Sequence, residues 1–295
     1  MSELFPGFTT RHVATAGARI HCEVGGSGPP LLLLHGYPQT HAMWHRIAPR
    51  LAERYTVVCS DLRGYGDSSK PDGGEGHVAY SKREMAKDQV EAMQALGFAR
   101  FKLVGHDRGG RVAHRLCLDH PQAVERVAVL DISPTRLMYA GSDMGFATAY
   151  YHWFFLIQPF DLPERLIGAE AAYYLRKKLG GWGTGIEIFD PRALAEYERC
   201  FCRPDTIHAT CEDYRAAASI DLEHDEADIV AGRKVTCPLL ALWGAKGVVN
   251  RMFAPLRDWA TVATDVRGKA LPSGHFLAEE APQETLAELL AFFRG

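Results

Sequence analysis

Residues 101–104, Phe-Lys-Leu-Val, run into Gly105-His106-Asp107-Arg108-Gly109-Gly110 and from there into a helix-like stretch at 111–118. Small residues two before and two after a central side chain let a strand turn sharply into a helix while that side chain projects over the sheet. This is the pattern of a nucleophile elbow. The central residue here is a carboxylate, and no Gly-x-Ser-x-Gly occurs in the chain, so a serine esterase or lipase would lack its nucleophile. A carboxylate attacks a saturated carbon carrying a leaving group and forms an alkyl ester, which water must then cleave at the carboxylate's own carbonyl carbon. An Asp in a helix-starting turn is common by itself, so the reading of Asp107 depends on its companions.

Three companions occur in the required order. His35-Gly36-Tyr37-Pro38 follows the apolar run 31–34. A loop there can lend one backbone N–H, that of Tyr37, to an oxyanion hole, the second coming from Arg108 after the nucleophile. Gly274-His275-Phe276 follows the last strand signal and places a histidine where a general base for water could reach the elbow. Twelve other histidines exist, so position is what selects His275. The acid that orients such a base often follows the strand that here ends at Trp243, but the residues there are Gly244-Ala245-Lys246-Gly247. Asp131, one strand after the elbow, can take that place and hold the imidazole N–H. Its plainer alternative is a helix cap or loop acid.

Positioning these groups requires strands and crossovers. Short β-rich runs lie at 20–24, 31–34, 55–59, 101–104 and 127–130, several of them continuously apolar, as strands covered on both faces should be. Between the third and fourth, Ser81 and Glu84 form a capping box ahead of Met85, Val90, Met93 and Leu96. Strand, helix, strand implies right-handed crossovers. After Pro134 the chain becomes rich in Tyr, Trp, Phe and helix formers for about a hundred residues. Strand signals then return at 238–243 and 266–271, before an amphipathic segment from Pro282 to Phe293 with Leu286, Leu289 and Leu290. The expected fold is α/β, a mostly parallel sheet flanked by helices, with a core of residues 1–134 and 235–295 and an inserted helical cap at 135–234. The uncharged stretch 144–160 reads as a buried or cleft-lining helix, too short for a membrane span and interrupted by His152, Gln158 and Pro159.

Composition narrows the function. With 295 residues, 47% apolar and 23% charged, the chain is ordinary for a folded protein with one large domain or a core with an insertion. A formal charge of −3 leaves no basic excess for a phosphate backbone, so nucleic acid is not an expected partner. Seven cysteines without CxxC spacing suggest reduced thiols in a cytoplasmic protein, and MSELFPGFTT lacks the basic start and apolar run of an export signal. Gly25-Gly26-Ser27-Gly28 precedes a strand and reads as a turn, not a dinucleotide fingerprint. The acids of Asp61-Leu62-Arg63-Gly64-Tyr65-Gly66-Asp67-Ser68 have no recognisable ligand spacing and are expected to shape a loop beside the site. No metal or organic cofactor is implied.

The set HGYPQ, DLRGYGDS, GHDRGGR, Asp131, YYHWFF and GHF resembles the haloacetate dehalogenases of the α/β-hydrolase superfamily, the fluoroacetate dehalogenases in particular, over nearly the whole chain. The resemblance implies Asp107 as nucleophile, His275 as the base that activates water and Asp131 as its orienting acid. It further implies that Arg108 and Arg111 grip a substrate carboxylate and that His152, Trp153 and Tyr214 bind the departing halide. Physical reasoning agrees: an anionic nucleophile meets an anionic haloacetate only if fixed positive charge offsets the repulsion, and arginine binds carboxylates bidentately. The implied partner is a small haloacid, with a homodimer compatible with such a chain. An epoxide hydrolase would share the Asp elbow and base, and Tyr150, Tyr151, Tyr173, Tyr174, Tyr197 and Tyr214 could supply its tyrosine pair. A neutral epoxide, however, gives no reason for two cations beside the nucleophile. A non-catalytic ligand receptor on the same fold is a third reading, disfavoured by the presence of Asp107, Asp131 and His275 together.

Overall fold

Runs of Leu and Val without polar interruption can be buried only where both faces of a strand are covered, and such runs form the centre of the sheet. The computed structural model describes residues 4–294, so residues 1–3 and 295 of the expected core segments and opening stretch lie outside it. Eight strands are formed: β1 (Thr9–Ala14), β2 (Arg19–Gly25), β3 (Pro30–Leu34), β4 (Thr56–Ser60), β5 (Phe101–His106), β6 (Val124–Leu130), β7 (Leu239–Gly244) and β8 (Val266–Leu271). They form one sheet in the order β1-β2-β4-β3-β5-β6-β7-β8. β2 is antiparallel to β1 and β4, and the remaining pairings are parallel.

The chain winds outward from β3 to β4, then crosses to β5 on the other side of β3. Such a reversal opens a crevice at the carboxyl ends of the two central strands. The loop after β3 carries Tyr37 and the turn after β5 carries Asp107, so topology alone brings these two segments together. Ser81 Oγ accepts the Glu84 N–H at 3.3 Å and starts helix Lys82–Ala95, as the capping box requires.

Between β6 and β7 every regular element is helical, from Thr135–Ala140 to Ile220–Val230. The uncharged stretch departs from the expected single helix. It breaks into Met144–Ala149 and His152–Phe155, with Met144 and Phe160 exposed while Phe146, Tyr150, His152, Trp153 and Leu156 are buried. The break lies at Tyr150, whose φ of −114° and ψ of 38° leave the helix, and it is followed at once by the buried His152-Trp153 pair. β1 was not anticipated either. It is an exposed edge strand with only Val13 buried, and so has no apolar signature. Among the described residues no helix is long and apolar enough to cross a membrane.

Candidate active site

Asp107 sits at the apex of the turn between β5 and helix Arg108–Asp119 with φ of 48° and ψ of −114°. A non-glycine residue in this region is strained by roughly 1–3 kcal/mol and persists only where its surroundings enforce it. Glycine makes the turn feasible. A Cβ on Gly109 would come within 2.3 Å of the His35 carbonyl oxygen, and one on Gly36 would meet the Asp107 Cβ at 2.4 Å. The HG loop therefore packs directly on the elbow.

That contact orients the carboxylate. Tyr37 N–H donates to Asp107 Oδ1 at 2.9 Å. Arg108 N–H, the first amide of its helix, has no intrahelical acceptor and is available beside it. On the other side, His275 Nε2 lies 4.0 Å from Asp107 Oδ2 and has no hydrogen-bond partner among the described residues. The opposite ring nitrogen, Nδ1, is held by Asp131 Oδ2 at 2.6 Å. Asp131 Oδ1 in turn accepts the Gly244 N–H at 2.9 Å. Gly244, the first of the residues after Trp243 where an acid is lacking, thus supplies an amide that fixes the acid from β6.

Charge distribution follows from burial and neighbours. Burial pushes the Asp107 carboxyl up, but His275 foremost, with Arg111 and Arg108, outweighs it and holds Asp107 below the usual carboxylate range. Burial would lower His275, yet Asp131 and then Asp107 more than offset this and hold the imidazole above its ordinary value.

The two arginines differ. Arg108 Nε and Nη2 clasp the Asp213 carboxylate at 2.8 Å each, while its Nη1 has no partner. Asp213 also pairs with Lys82 and accepts the Tyr65 hydroxyl. Among the described residues Arg111 has no carboxylate partner; its Nη1 donates to Thr135 Oγ1 at 2.9 Å, and its Nε is unpartnered. Two buried guanidinium N–H groups, Arg108 Nη1 and Arg111 Nε, are therefore left without acceptors among the described residues, and both cations act on Asp107. Arg108 lies over the Tyr214 ring at 4.1 Å and Arg111 over the Trp153 ring at 4.7 Å. His152 joins them, with ring centroids 5.5 Å from Tyr214 and 6.0 Å from Tyr37. Asp107, Asp131, His275, Arg108, Arg111, His152, Trp153 and Tyr214 are thus all buried around one centre, whereas Tyr151 and Tyr173, offered as an epoxide hydrolase's tyrosines, are exposed.

A protein-family model described as alpha/beta hydrolase fold matches residues 29–282. The chain belongs to the α/β-hydrolase fold family. Among its relatives is a fluoroacetate dehalogenase of Burkholderia sp, 50% identical over 98% of this chain and 95% of that one. A soluble epoxide hydrolase of Corynebacterium sp. (strain C12) is 36% identical over 96% of this chain and 97% of that one. The crystal structure of ALR0039 from Nostoc sp PCC 7120 superposes with a TM-score of 0.95 at 60% identity, covering 97% of this chain and 98% of that chain.

Several residues that build the hydrolase site were not legible in the sequence. Asp213, next to Tyr214, locks Arg108. Trp182 stands between His152 and His275, with centroids 4.5 and 5.6 Å away. Lys178, one turn before it in helix Ala171–Trp182, is buried with its ammonium 3.3 Å from the Tyr151 ring centroid and 5.1 Å from that of Trp182. It makes no ion pair among the described residues, and burial pushes it down to about 7. Adjacency to Tyr214 is the one signal for Asp213; Trp182 and Lys178 carry no local signal. His152 is held well below its ordinary value by burial and then by Lys178, so it remains neutral. Burial, reinforced by Asp107, raises the Tyr214 phenol, which remains protonated with its hydroxyl unpartnered.

Proposed function

We propose that this α/β hydrolase converts a haloacetate, fluoroacetate above all, to glycolate and halide through an ester on Asp107. The observation that carries this reading is the pair of unpartnered, buried N–H groups of Arg108 and Arg111 beside a carboxylate nucleophile. A neutral substrate leaves both unsatisfied, at a cost of roughly 1–3 kcal/mol each, more where the group is charged. The 50% identical fluoroacetate dehalogenase supports the same choice.

The geometry suggests the division of labour. Oδ1 of Asp107 is engaged by the Tyr37 N–H and becomes the ester carbonyl oxygen. Oδ2 attacks the substrate methylene, and the halide leaves with the electrons of its carbon–halogen bond. Water beside His275 Nε2 then gives its proton to the imidazole and adds to the ester carbon, while Tyr37 and Arg108 N–H groups stabilise the oxyanion. Collapse breaks the bond between the ester carbon and the substrate oxygen, the imidazolium gives its proton to the departing glycolate oxygen, and Asp107 returns to the carboxylate as the second water proton passes to solvent. Asp131 stabilises the imidazolium formed in between. Neutral His152, Trp153 and Tyr214 offer donors to the leaving halide without a competing anion.

The direct test is halide release from fluoroacetate, followed with a fluoride electrode, beside diol formation from a neutral epoxide. Epoxide turnover with no halide release would overturn the proposal in favour of the activity of the Corynebacterium relative. Trp153→Phe then probes the halide site. Fluoride gains most from hydrogen bonding at the transition state, so loss of the indole N–H is expected to slow single-turnover ester formation roughly a hundredfold with fluoroacetate. The bromoacetate reaction should lose far less. Equal losses would assign Trp153 to packing alone.

Lys178 supplies a pH dependence. Its charge is present below about 7 and lost above, so affinity for an anion should fall as pH rises through that value. Inhibition by acetate, which cannot react, is expected to weaken roughly fivefold from pH 6 to 8.5. Lys178→Met should flatten this dependence at the weaker value. A pH-independent inhibition constant in the unaltered enzyme would refute the assignment.

A further inference from the structure

Away from this centre, three buried side chains with metal-ligand chemistry converge. His21 and Glu23 are two residues apart on β2, and alternation along a strand places both on the same face. His41, from the short 3-10 turn His41–Trp44 after the HG loop, packs against them, its ring 4.8 Å from that of His21. One ligand atom from each of the three lies within 4.8 Å of the others. All three residues are at least 96% buried, with exposures of 2%, 4% and 0%.

The hydrogen bonds leave the ligand positions open. His41 Nδ1 is 2.9 Å from Asp61 Oδ1, which also accepts the His41 backbone N–H at 2.8 Å. Asp61 therefore selects the tautomer with the proton on Nδ1 and the lone pair on Nε2, as carboxylates behind metal-bound histidines do. His41 Nε2 has no partner among the described residues; His21 Nε2 makes no hydrogen bond there but lies 3.5 Å from Glu23 Oε1, and His21 Nδ1 is 3.3 Å from His12 Nε2. Glu23 Oε1 accepts the Thr10 hydroxyl at 2.6 Å. A buried imidazole nitrogen without a partner, beside a second imidazole and a carboxylate, is a costly arrangement unless something bridges the three.

We propose that His21, Glu23 and His41 bind one divalent transition-metal ion of the zinc class, held by His21 Nε2, His41 Nε2 and a Glu23 oxygen. Two imidazoles and a carboxylate form a common zinc set, completed by a fourth ligand such as water. Ligand atoms around a tetrahedral ion stand about 3.3 Å apart, so side-chain adjustments on the order of 1 Å suffice. The two positive charges balance Glu23 and the Asp61 behind His41.

The site staples the β1–β2 hairpin to the segment that enters the active centre. His41 follows Tyr37 by four residues, and Asp61 also lies 3.7 Å from His35 Nε2, at the base of the HG loop. The ion would thus fix the frame of the oxyanion loop without touching substrate, and its presence is independent of which substrate Asp107 attacks.

Protein stripped with a chelator, reloaded with Zn²⁺ and passed through gel filtration should retain one zinc per chain by elemental analysis. A competing chromophoric chelator should report a sub-micromolar Kd, and Tm should rise by about 4 °C at hundredfold excess of zinc over Kd. Co²⁺ substitution should give intense visible bands of a four-coordinate N/O site, without the near-ultraviolet charge transfer of a thiolate. His21→Gln and Glu23→Gln should each weaken binding a hundredfold or more. Retention below one-tenth zinc per chain, a thiolate band, or unchanged affinity in both variants would overturn the proposal. Should either variant misfold by circular dichroism, the cobalt spectrum and stoichiometry of the unaltered protein decide.

Discussion

Asp107→Asn is expected to lower fluoroacetate turnover by roughly 10⁴-fold or more, since in the proposed mechanism loss of this nucleophile removes the covalent route altogether. An amide cannot form the ester, yet it can still accept the Tyr37 N–H, and Asn adopts positive φ about as readily as Asp. The variant should therefore fold, and with Arg108 and Arg111 untouched it should still bind fluoroacetate by calorimetry. Separating binding from turnover in this way distinguishes a missing nucleophile from a collapsed site. Near-normal turnover, with mass spectrometry showing no deamidation back to Asp, would remove Asp107 from the role.

His275→Asn should separate the two half-reactions. In the proposed mechanism halide displacement needs only the anionic Asp107 and the arginines, and hydrolysis of the ester needs the imidazole, whose removal typically costs about 10²- to 10⁴-fold. About one halide per active site should be released, followed by arrest as a covalent ester. The denatured protein should carry the added carboxymethyl mass on the peptide containing Asp107. One consequence works against a perfect burst: His275 is the foremost influence that holds the Asp107 carboxyl low, so its loss raises Asp107 and should slow the burst as pH falls. A variant with neither adduct nor burst across pH 6 to 8.5 would show that His275 acts before ester formation.

The sequence was most informative where function depends on short-range geometry. A turn as tight as Gly105 to Gly109 admits few residue types, because a Cβ on Gly109 would strike the backbone of the HG loop. The elbow, the loop at Tyr37 and the histidine at 275 were therefore legible from local patterns, as were the buried strands that present them. Alternation and apolar runs report burial on a strand whatever its neighbours are. They failed for β1, which is exposed along most of its length, and for 144–160, where the break at Tyr150 sets apart two short helices in one uncharged run.

What only the tertiary structure decided are the partnerships between residues far apart in the chain. Asp131 reaches His275 across 144 positions and Asp213 reaches Arg108 across 105. Pattern and spacing show that a charge exists, but whether it is neutralised depends on what folds against it. Arg108 and Arg111 read alike in GHDRGGR, yet one is clasped by a carboxylate and the other is not. The nitrogen of His41 left unpartnered among the described residues is likewise a property of the packed interior. An exposed nitrogen bonds to water and is satisfied wherever it stands; burial removes that partner, so the cost of leaving a polar group open, and with it the signal of a site, arises only when the chain is folded.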